Sequence, residues 1–467
     1  MKHIYDVVVI GAGNGGLVAG TRLAMTGKKV LILEKHNIPG GFATSFVRGR
    51  FEFEASLHEL CDFGPENNKG SLRILFDELG ITDKIEWVEV HNAYRVINID
   101  DTNMDYTMPF GRKKFIDKME HYVKGSQESI NDFFNLADEI LLAMGYLGRS
   151  RGKPDSKVLK KEFPNFMRVA AYSVDDVFKA LSIPKLAQDI LSTYWVYLGS
   201  HIGDLSFVHF ALMTMLYIDL GAFIPKMRSH EISLAIETRF RELGGEIWYN
   251  SEVDKILLNN NEVEGIRLID GTIVYSNHII SNTSPHNVFG NMIDNVPVQA
   301  KKLTNARTLA ARGFSIFLGL NKDAKELGLN DHSYFLGKTL DSKIQYESMK
   351  DFENISHIAV CLNNVIEDCS PKGTSILYFT TLYFSDCFGE IKEEDYFDMK
   401  NKLAEKFLLQ FEKTTGIKIM DCIEEIEIAT PMTYARYTNA PDGSIYGYKA
   451  HSWDNMMPRL MRMYDEN

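Results

Sequence analysis

Six consecutive residues, Gly11-Ala12-Gly13-Asn14-Gly15-Gly16, satisfy the pattern G-x-G-x-x-G and lie between a run of apolar residues and an amphipathic one. In that setting each glycine has a mechanical task. Gly11 makes the tight turn, Gly13 lets the backbone approach a diphosphate with no Cβ in the way, and Gly16 allows a helix to pack closely on the preceding strand. Asn14 and Gly15 complete the turn, and the N-terminus of the helix that follows offers free N–H groups and a partial positive charge to phosphates. Glu34 stands at the end of the next apolar run, placed to accept hydrogen bonds from a ribose diol and to disfavour a 2′-phosphate, which argues against NADP. Two further features favour FAD over NAD. Pro39-Gly40-Gly41 follows Glu34 almost at once and forms a loop that can pass close to a diphosphate and ribityl chain, and no second G-x-G-x-x-G offers a separate nicotinamide site.

Other catalytic patterns are missing. None of the thirteen histidines falls in an H-E-x-x-H or similar metal spacing, and no Ser-His-Asp or Cys-His site can be read from scattered residues. The five cysteines, Cys61, Cys361, Cys369, Cys387 and Cys422, contain no C-x-x-C pair, so neither a disulfide framework nor a thiolate metal site is expected, and a reducing cytoplasm fits. The formal net charge of -12 argues against nucleic acid as the main partner, because phosphate binding needs a basic face.

The elements that must position these groups follow from hydrophobic periodicity. A strand from Ile4 to Ile10, a helix from Leu17 to about Thr26 and a strand from Val30 to Leu33 make a β-α-β unit. The apolar run from Val7 to Ile10 is too short for a signal peptide. From about His91 to Gly221 the chain is helix-rich and aromatic. Its longest apolar stretch, from Leu205 to Ile224, nearly reaches bilayer-spanning length, but Asp219 inside it is costly in lipid, so a buried or substrate-lining helix is expected. A helix from Glu231 to Leu243 precedes short β segments at 247–249, 253–258, 263–269 and 273–275, read together as a β-meander, and a further strand at 278–280. With 467 residues, two domains are expected.

Several motifs together resemble a known group. The opening through Glu34-Lys35, Pro39-Gly40-Gly41-Phe42-Ala43-Thr44, the meander ending in Asp270-Gly271, and Thr430-Pro431-Met432-Thr433 with Gly443-Ser444-Ile445-Tyr446-Gly447 are similar to the carotenoid isomerase and retinol saturase branch of the phytoene desaturase-like FAD-dependent oxidoreductases. The likeness spans nearly the whole chain. It implies an α/β fold with a Rossmann-type, glutathione-reductase-like FAD-binding domain and β-meander (residues 1–90, 222–290 and 421–467), plus a discontinuous mixed α+β substrate domain (91–221 and 291–420). FAD would extend along the β-α-β unit, touched by Lys35, Ala43 and Thr44 as well as by the glycines and Glu34. Val253 would pair its backbone with the adenine, and the segment 430–447 would approach the flavin end. His58 falls in a stretch like the family's flavin-proximal one and is a candidate for a direct role.

Two departures accompany the likeness. Relatives carry a Lys-Gly-Gly-Ser-like turn where this chain has Lys226-Met227-Arg228-Ser229. The family's last strand and Gly-rich turn, which follow the Tyr-Gly motif, are not found before Asn467. Three expectations stand open there: a longer chain, a second chain that completes the fold, or a relative with weak or no FAD binding. The resemblance implies hydride exchange at flavin N5 with a double bond of a polyene, isoprenoid or other long apolar substrate. An amine oxidase-like FAD enzyme and a non-catalytic FAD-binding homologue are the alternatives. The expected location is cytoplasmic, with peripheral contact at the inner face of the membrane left open.

Overall fold

The computed structural model describes residues 3–151 and 153–450. Three sheets organise the chain. A parallel sheet carries the strands in the order Glu246–Trp248, Val30–Leu33, Val7–Ile10 and Ile279–Ser281. Both central strands, Val-Val-Val-Ile and Val-Leu-Ile-Leu, are buried at every residue, as expected of a sheet covered on its two faces. Alternate side chains divide between those faces. Val7, Val9, Val30 and Ile32 pack under the helices Asn14–Met25 and His230–Glu242, together with Leu17, Ile236 and Phe240. Val8, Ile10, Leu31 and Leu33 pack under the meander, together with Val253, Ile266 and Val274.

Three expectations are corrected here. The strand read as Ile4 to Ile10 is two strands. His3–Ile4 pairs with Ile273–Tyr275, whereas Val7–Ile10 enters the parallel sheet. Tyr5 and Asp6 make the step between them, with the Tyr5 amide bonded to the Tyr275 carbonyl and the Asp6 amide to the Lys29 carbonyl. The segment read as the first meander strand, observed as Glu246–Trp248, belongs to the parallel sheet, and the meander itself is Val253–Asn259, Glu262–Leu268 and Ile273–Tyr275. Both assignments turn on which partner each short apolar run meets, and periodicity does not specify that.

The third concerns only Ile423–Ala429 within the segment 421–467 expected in the nucleotide-binding unit, since residues from Tyr437 to Tyr448 do line the cavity at the strand ends. Ile423–Ala429 instead pairs antiparallel with Arg312–Leu320 and forms the edge of the third sheet. That sheet has seven strands, in the order Ile423–Ala429, Arg312–Leu320, Ser375–Tyr383, His357–Cys361, Ser333–Gly337, Asn92–Asn98 and Asp105–Pro109. One face packs on the helix Tyr396–Thr415 through Phe379, Phe407 and Phe411. The other face joins an aromatic core that includes Phe133, Tyr194, Phe210 and Tyr378 and is roofed by the helices Gln127–Arg149 and Phe207–Leu220. Residues 451–467 lie outside the described residues.

The long apolar stretch forms Phe207–Leu220, a helix buried on nearly all sides. Asp219 sits near its end, bonded to Arg112, which also grips Asp138 through two contacts of 2.7 Å. An arginine fork holding two carboxylates explains how a charge persists within an apolar helix. No helix among the described residues is long and apolar enough to cross a membrane.

Helix Asn14–Met25 rests very close to the strand before it. A Cβ built on Gly16 would lie 2.1 Å from the Gly11 carbonyl oxygen, a backbone atom that cannot rotate away. Gly16→Ala is therefore expected to destabilise the protein by about 1–3 kcal/mol, as overpacked sites do. A fall in the urea unfolding midpoint at unchanged m-value would register it.

Candidate functional site

At the C-terminal ends of the parallel strands the backbone opens a cavity of about 580 Å³. Open parallel sheets place ligand crevices at this end. Nine of the residues singled out in the sequence line it. Gly11, Gly13 and Asn14 come from the first turn, Glu34 and Lys35 from the end of the second strand, Gly40, Gly41 and Ala43 from the following loop, and Val253 from the meander. Thr44 lines a neighbouring cavity of about 560 Å³, which shares Glu34, Gly41 and Phe42 with the first. Gly15 and Gly16 shape the turn without forming part of either lining.

The turn geometry requires glycine at two points. Gly11 has φ +96° and Gly40 has φ +113°, a backbone region that side chains disfavour. A Cβ on Gly40 would also meet the Ala43 carbonyl oxygen at 2.3 Å. The Gly40 amide donates to the Ala12 carbonyl at 2.9 Å, which ties the second loop to the first. Glu34 ties the same turn from the other side. Its carboxylate accepts from the Ala12 amide at 2.7 Å and the His36 amide at 2.8 Å, and further lone pairs remain for a hydroxyl donor. The Ser233 hydroxyl on helix His230–Glu242 stands 2.8 Å from Asn14 Oδ1 and 3.1 Å from the Ala43 carbonyl, locking both loops to the second helix.

Helix Asn14–Met25 begins at Gly13 with no side-chain cap and no acidic residue in its first turn. Uncapped N-terminal amides beside a polar cavity form a ready anion site. The donor set, the glycine cradle and the acid at the second strand end fit an adenine dinucleotide with a diphosphate at the helix start.

Sequence reasoning missed Asn282. Its amide donates to the Ile10 carbonyl at 2.8 Å, and its side chain lies so close to the turn that a Cβ on Gly13 would meet Nδ2 at 2.8 Å and one on Gly15 would meet Oδ1 at 2.7 Å. The break at Ser281-Asn282-Thr283-Ser284-Pro285 was the available signal, because polar residues directly after a buried parallel strand stand at the ligand end of the sheet.

Arg228 adopts a left-handed backbone with φ +78°. Its buried guanidinium donates to the carbonyls of Glu52 and Cys369 and lines neither cavity. The next residue, Ser229, donates its amide and hydroxyl to Glu54 at 2.7 and 2.5 Å. Burial lifts Glu54 to about 7, against the pull of the Ser229 and Leu57 donors and the Arg228 charge.

His58 lies deep among aromatic rings, with centroids 5.5 Å from Tyr378 and 6.0 Å from Tyr197. Burial, assisted by nearby His332, holds its pKa down to about 3. The residue beside it carries a signal that no sequence pattern gave. Glu59 is buried, and neither of its carboxyl oxygens has a hydrogen-bond partner. Oε2 stands 3.7 Å from His332 Nε2, which donates to the His58 carbonyl at 3.3 Å. The spacing admits an ion pair, but burial drives both groups toward neutrality, Glu59 up to about 8 and His332 down to about 4. We therefore assign Glu59 and His332 as a neutral pair at neutral pH.

The folded protein keeps the Glu59 proton up to about pH 8, whereas the unfolded chain releases it in the ordinary carboxylate range. Across that window the native state binds more protons, so stability falls as pH rises. Buried His58 and His332 act in the opposite sense at lower pH, because only the unfolded chain protonates them there. Glu59→Gln is expected to flatten the alkaline decline and leave the acid limb, with an advantage over the parent that grows up to about pH 8. Unfolding midpoints measured across this range check the prediction, and parallel curves would contradict it.

Comparison with known proteins agrees with this geometry. Residues 9–79 match the family model of the NAD(P)-binding Rossmann-like domain. The all-trans-retinol 13,14-reductase of Danio rerio is 27% identical in an alignment covering 95% of this chain and 77% of that protein. The chloroplastic prolycopene isomerase of Daucus carota is 26% identical over 95% of this chain and 72% of its own. Among solved structures, an oxidoreductase from Methanosarcina mazei superposes with a TM-score of 0.62 at 17% identity, covering 92% of this chain and 88% of that one, which establishes a shared fold. The site is that of a nucleotide or flavin cofactor on an α/β Rossmann framework. Over nearly its whole length the chain is similar to retinol 13,14-reductases and prolycopene isomerases, the group its motifs resemble.

Proposed function

We propose that the chain binds FAD in the cavity at the strand ends and acts as an oxidoreductase or isomerase on a carbon-carbon double bond of a long apolar substrate. The observation that carries this reading is the coincidence of uncapped helix amides, a Cβ-free turn and the tethered Glu34 around one cavity of about 580 Å³. In it, the parallel sheet and meander hold the dinucleotide, and the seven-stranded sheet with its helical roof encloses the substrate. When bound, the flavin supplies hydride exchange with carbon.

The chain's own residues have definable parts in this scheme. Amides at the start of Asn14–Met25 neutralise the diphosphate, Glu34 accepts from the ribose hydroxyls, and Val253 offers its backbone to the adenine. The interior beside His58 excludes water behind Tyr194, Tyr197, Tyr217 and Phe335, whose rings pack within about 6 Å of one another. Glu59, His58 and His332 are held neutral there. A neutral Glu59, His58 and His332 beside these rings suit an apolar chain better than an ammonium substrate, which favours the polyene reading over amine oxidation. The free cysteines fit a reducing compartment.

Purified protein incubated with FAD is expected to show bound-flavin absorption. Gly13→Val and Glu34→Ala are expected to weaken that binding at least about tenfold while leaving the fold intact, since each removes one element of the dinucleotide grip. Turnover of a polyene with retention of flavin would support the function. Unaltered FAD affinity in both variants, or hydrogen peroxide release with an amine and no reaction with polyenes, would overturn it.

A further inference from the structure

A second chemical signal lies outside the cofactor site. The stretch from Arg149 to Arg168 holds seven Lys or Arg residues against two acids, in a chain whose formal net charge is -12. Arg149, Arg151, Lys153, Lys157, Lys160, Lys161 and Arg168 are all exposed. Among the described residues, the ion pair found in this stretch joins Lys161 to its neighbour Glu162. Nearby acids are engaged elsewhere. Asp155 caps the helix Ser156–Glu162 by accepting from the Lys157 amide at 2.7 Å, and Glu139 accepts from the amides of Asn165 and Phe166. Asp138 is held by Arg112. Six cations thus face solvent from one small lobe with no carboxylate to pair with.

The same lobe exposes large apolar side chains. Leu142 is 63% exposed, Tyr172 55%, Met167 45% and Leu141 43%. They are not unfilled core positions, because Leu147, Leu159 and Phe166 already anchor the lobe in the interior and the rings of Tyr146 and Phe163 pack at 5.8 Å. A scattered exposed leucine or lysine is ordinary on a protein surface. Unpaired cations close in sequence to exposed Leu141, Leu142, Met167 and Tyr172 match a different environment, in which cations meet anionic headgroups while apolar side chains enter the acyl boundary. A nucleic-acid backbone would take the cations but leave Leu142 and Met167 in water.

We propose that the lobe formed by the end of helix Gln127–Arg149 and the helices Ser156–Glu162 and Pro164–Val169 docks on an anionic lipid surface. Docking there brings the chain to the phase in which long apolar molecules dissolve. The proposal goes beyond the assigned reaction and does not depend on flavin binding.

Sedimentation of the full chain with phosphatidylglycerol–phosphatidylcholine vesicles, against phosphatidylcholine alone, tests it. The parent is expected to partition onto the mixed vesicles and to dissociate as salt rises. The triple variant Lys157→Glu, Lys160→Glu, Arg168→Glu is expected to lose at least about tenfold in partitioning. Leu142→Ser with Met167→Ser is expected to lose several-fold at unchanged charge. Urea midpoints and flavin absorption, unchanged in both variants, separate failure of docking from failure to fold or to bind cofactor. Equal binding of the parent to neutral and mixed vesicles, or parent-like binding by the triple variant, would overturn the proposal. So would capture of a short RNA duplex with the same charge dependence and no effect of the Leu142 and Met167 changes, because that marks a general polyanion site.

Discussion

The site rests on a near-contact between two backbones. Helix Asn14–Met25 starts so close to the strand Val7–Ile10 that the Gly11 carbonyl occupies the space in which a Gly16 side chain would begin. That approach puts the uncapped amides of the first turn at the mouth of the cavity instead of above it. The surrounding structure then has one task, to hold this turn still. Glu34 binds the Ala12 amide, Gly40 bonds to the Ala12 carbonyl, Ser233 bridges Asn14 and Ala43, and Asn282 closes over the glycines. Contacts from Glu34, Gly40, Ser233 and Asn282 converge on one glycine-rich turn, which is how a flexible sequence becomes a rigid anion cradle.

A second organising constraint is the low charge of the interior beside that cradle. Water is excluded by aromatic rings, and the ionisable groups left inside respond by adopting their neutral forms. Glu59 is the extreme case, since no donor satisfies either oxygen and protonation is the least costly state open to it. Glu54 shows the contrast. It is equally buried, but Ser229 and Leu57 donate to it and Arg228 lends positive charge, so its rise is smaller. Two neighbouring carboxyl groups on one stretch of chain therefore differ because of their partners, of which Arg228 and Ser229 come from a distant segment.

Arg228 illustrates how a residue with a side chain can be held at a left-handed position. A glycine at a left-handed position is conformationally easy, whereas an arginine there must be compensated. Here the side chain folds into protein and clasps the carbonyls of Glu52 and Cys369, joining the edge of the cofactor region to the loop before Ser375–Tyr383. The side chain makes this turn a tie between Glu52 and the Cys369 loop without filling the cofactor cavity.

What could be read from the chain in order was local. The continuous apolar runs Val7 to Ile10 and Val30 to Leu33, the glycine spacing and the acid at Glu34 lie within a few tens of residues, and short-range sterics and periodicity determine a β-α-β unit by themselves. Eight of the expected residues, from Gly11 to Ala43, meet around one cavity for that reason, and Val253 joins them from the meander. The tertiary structure alone decided which short runs pair. It split Ile4 from Val7, moved Glu246–Trp248 out of the meander and put Ile423–Ala429 on the large sheet. It also brought Glu59 to His332 and Asn282 to the glycine turn. Strand pairing and the charge state of a buried acid depend on neighbours far away in sequence, and those neighbours exist only once the core has closed.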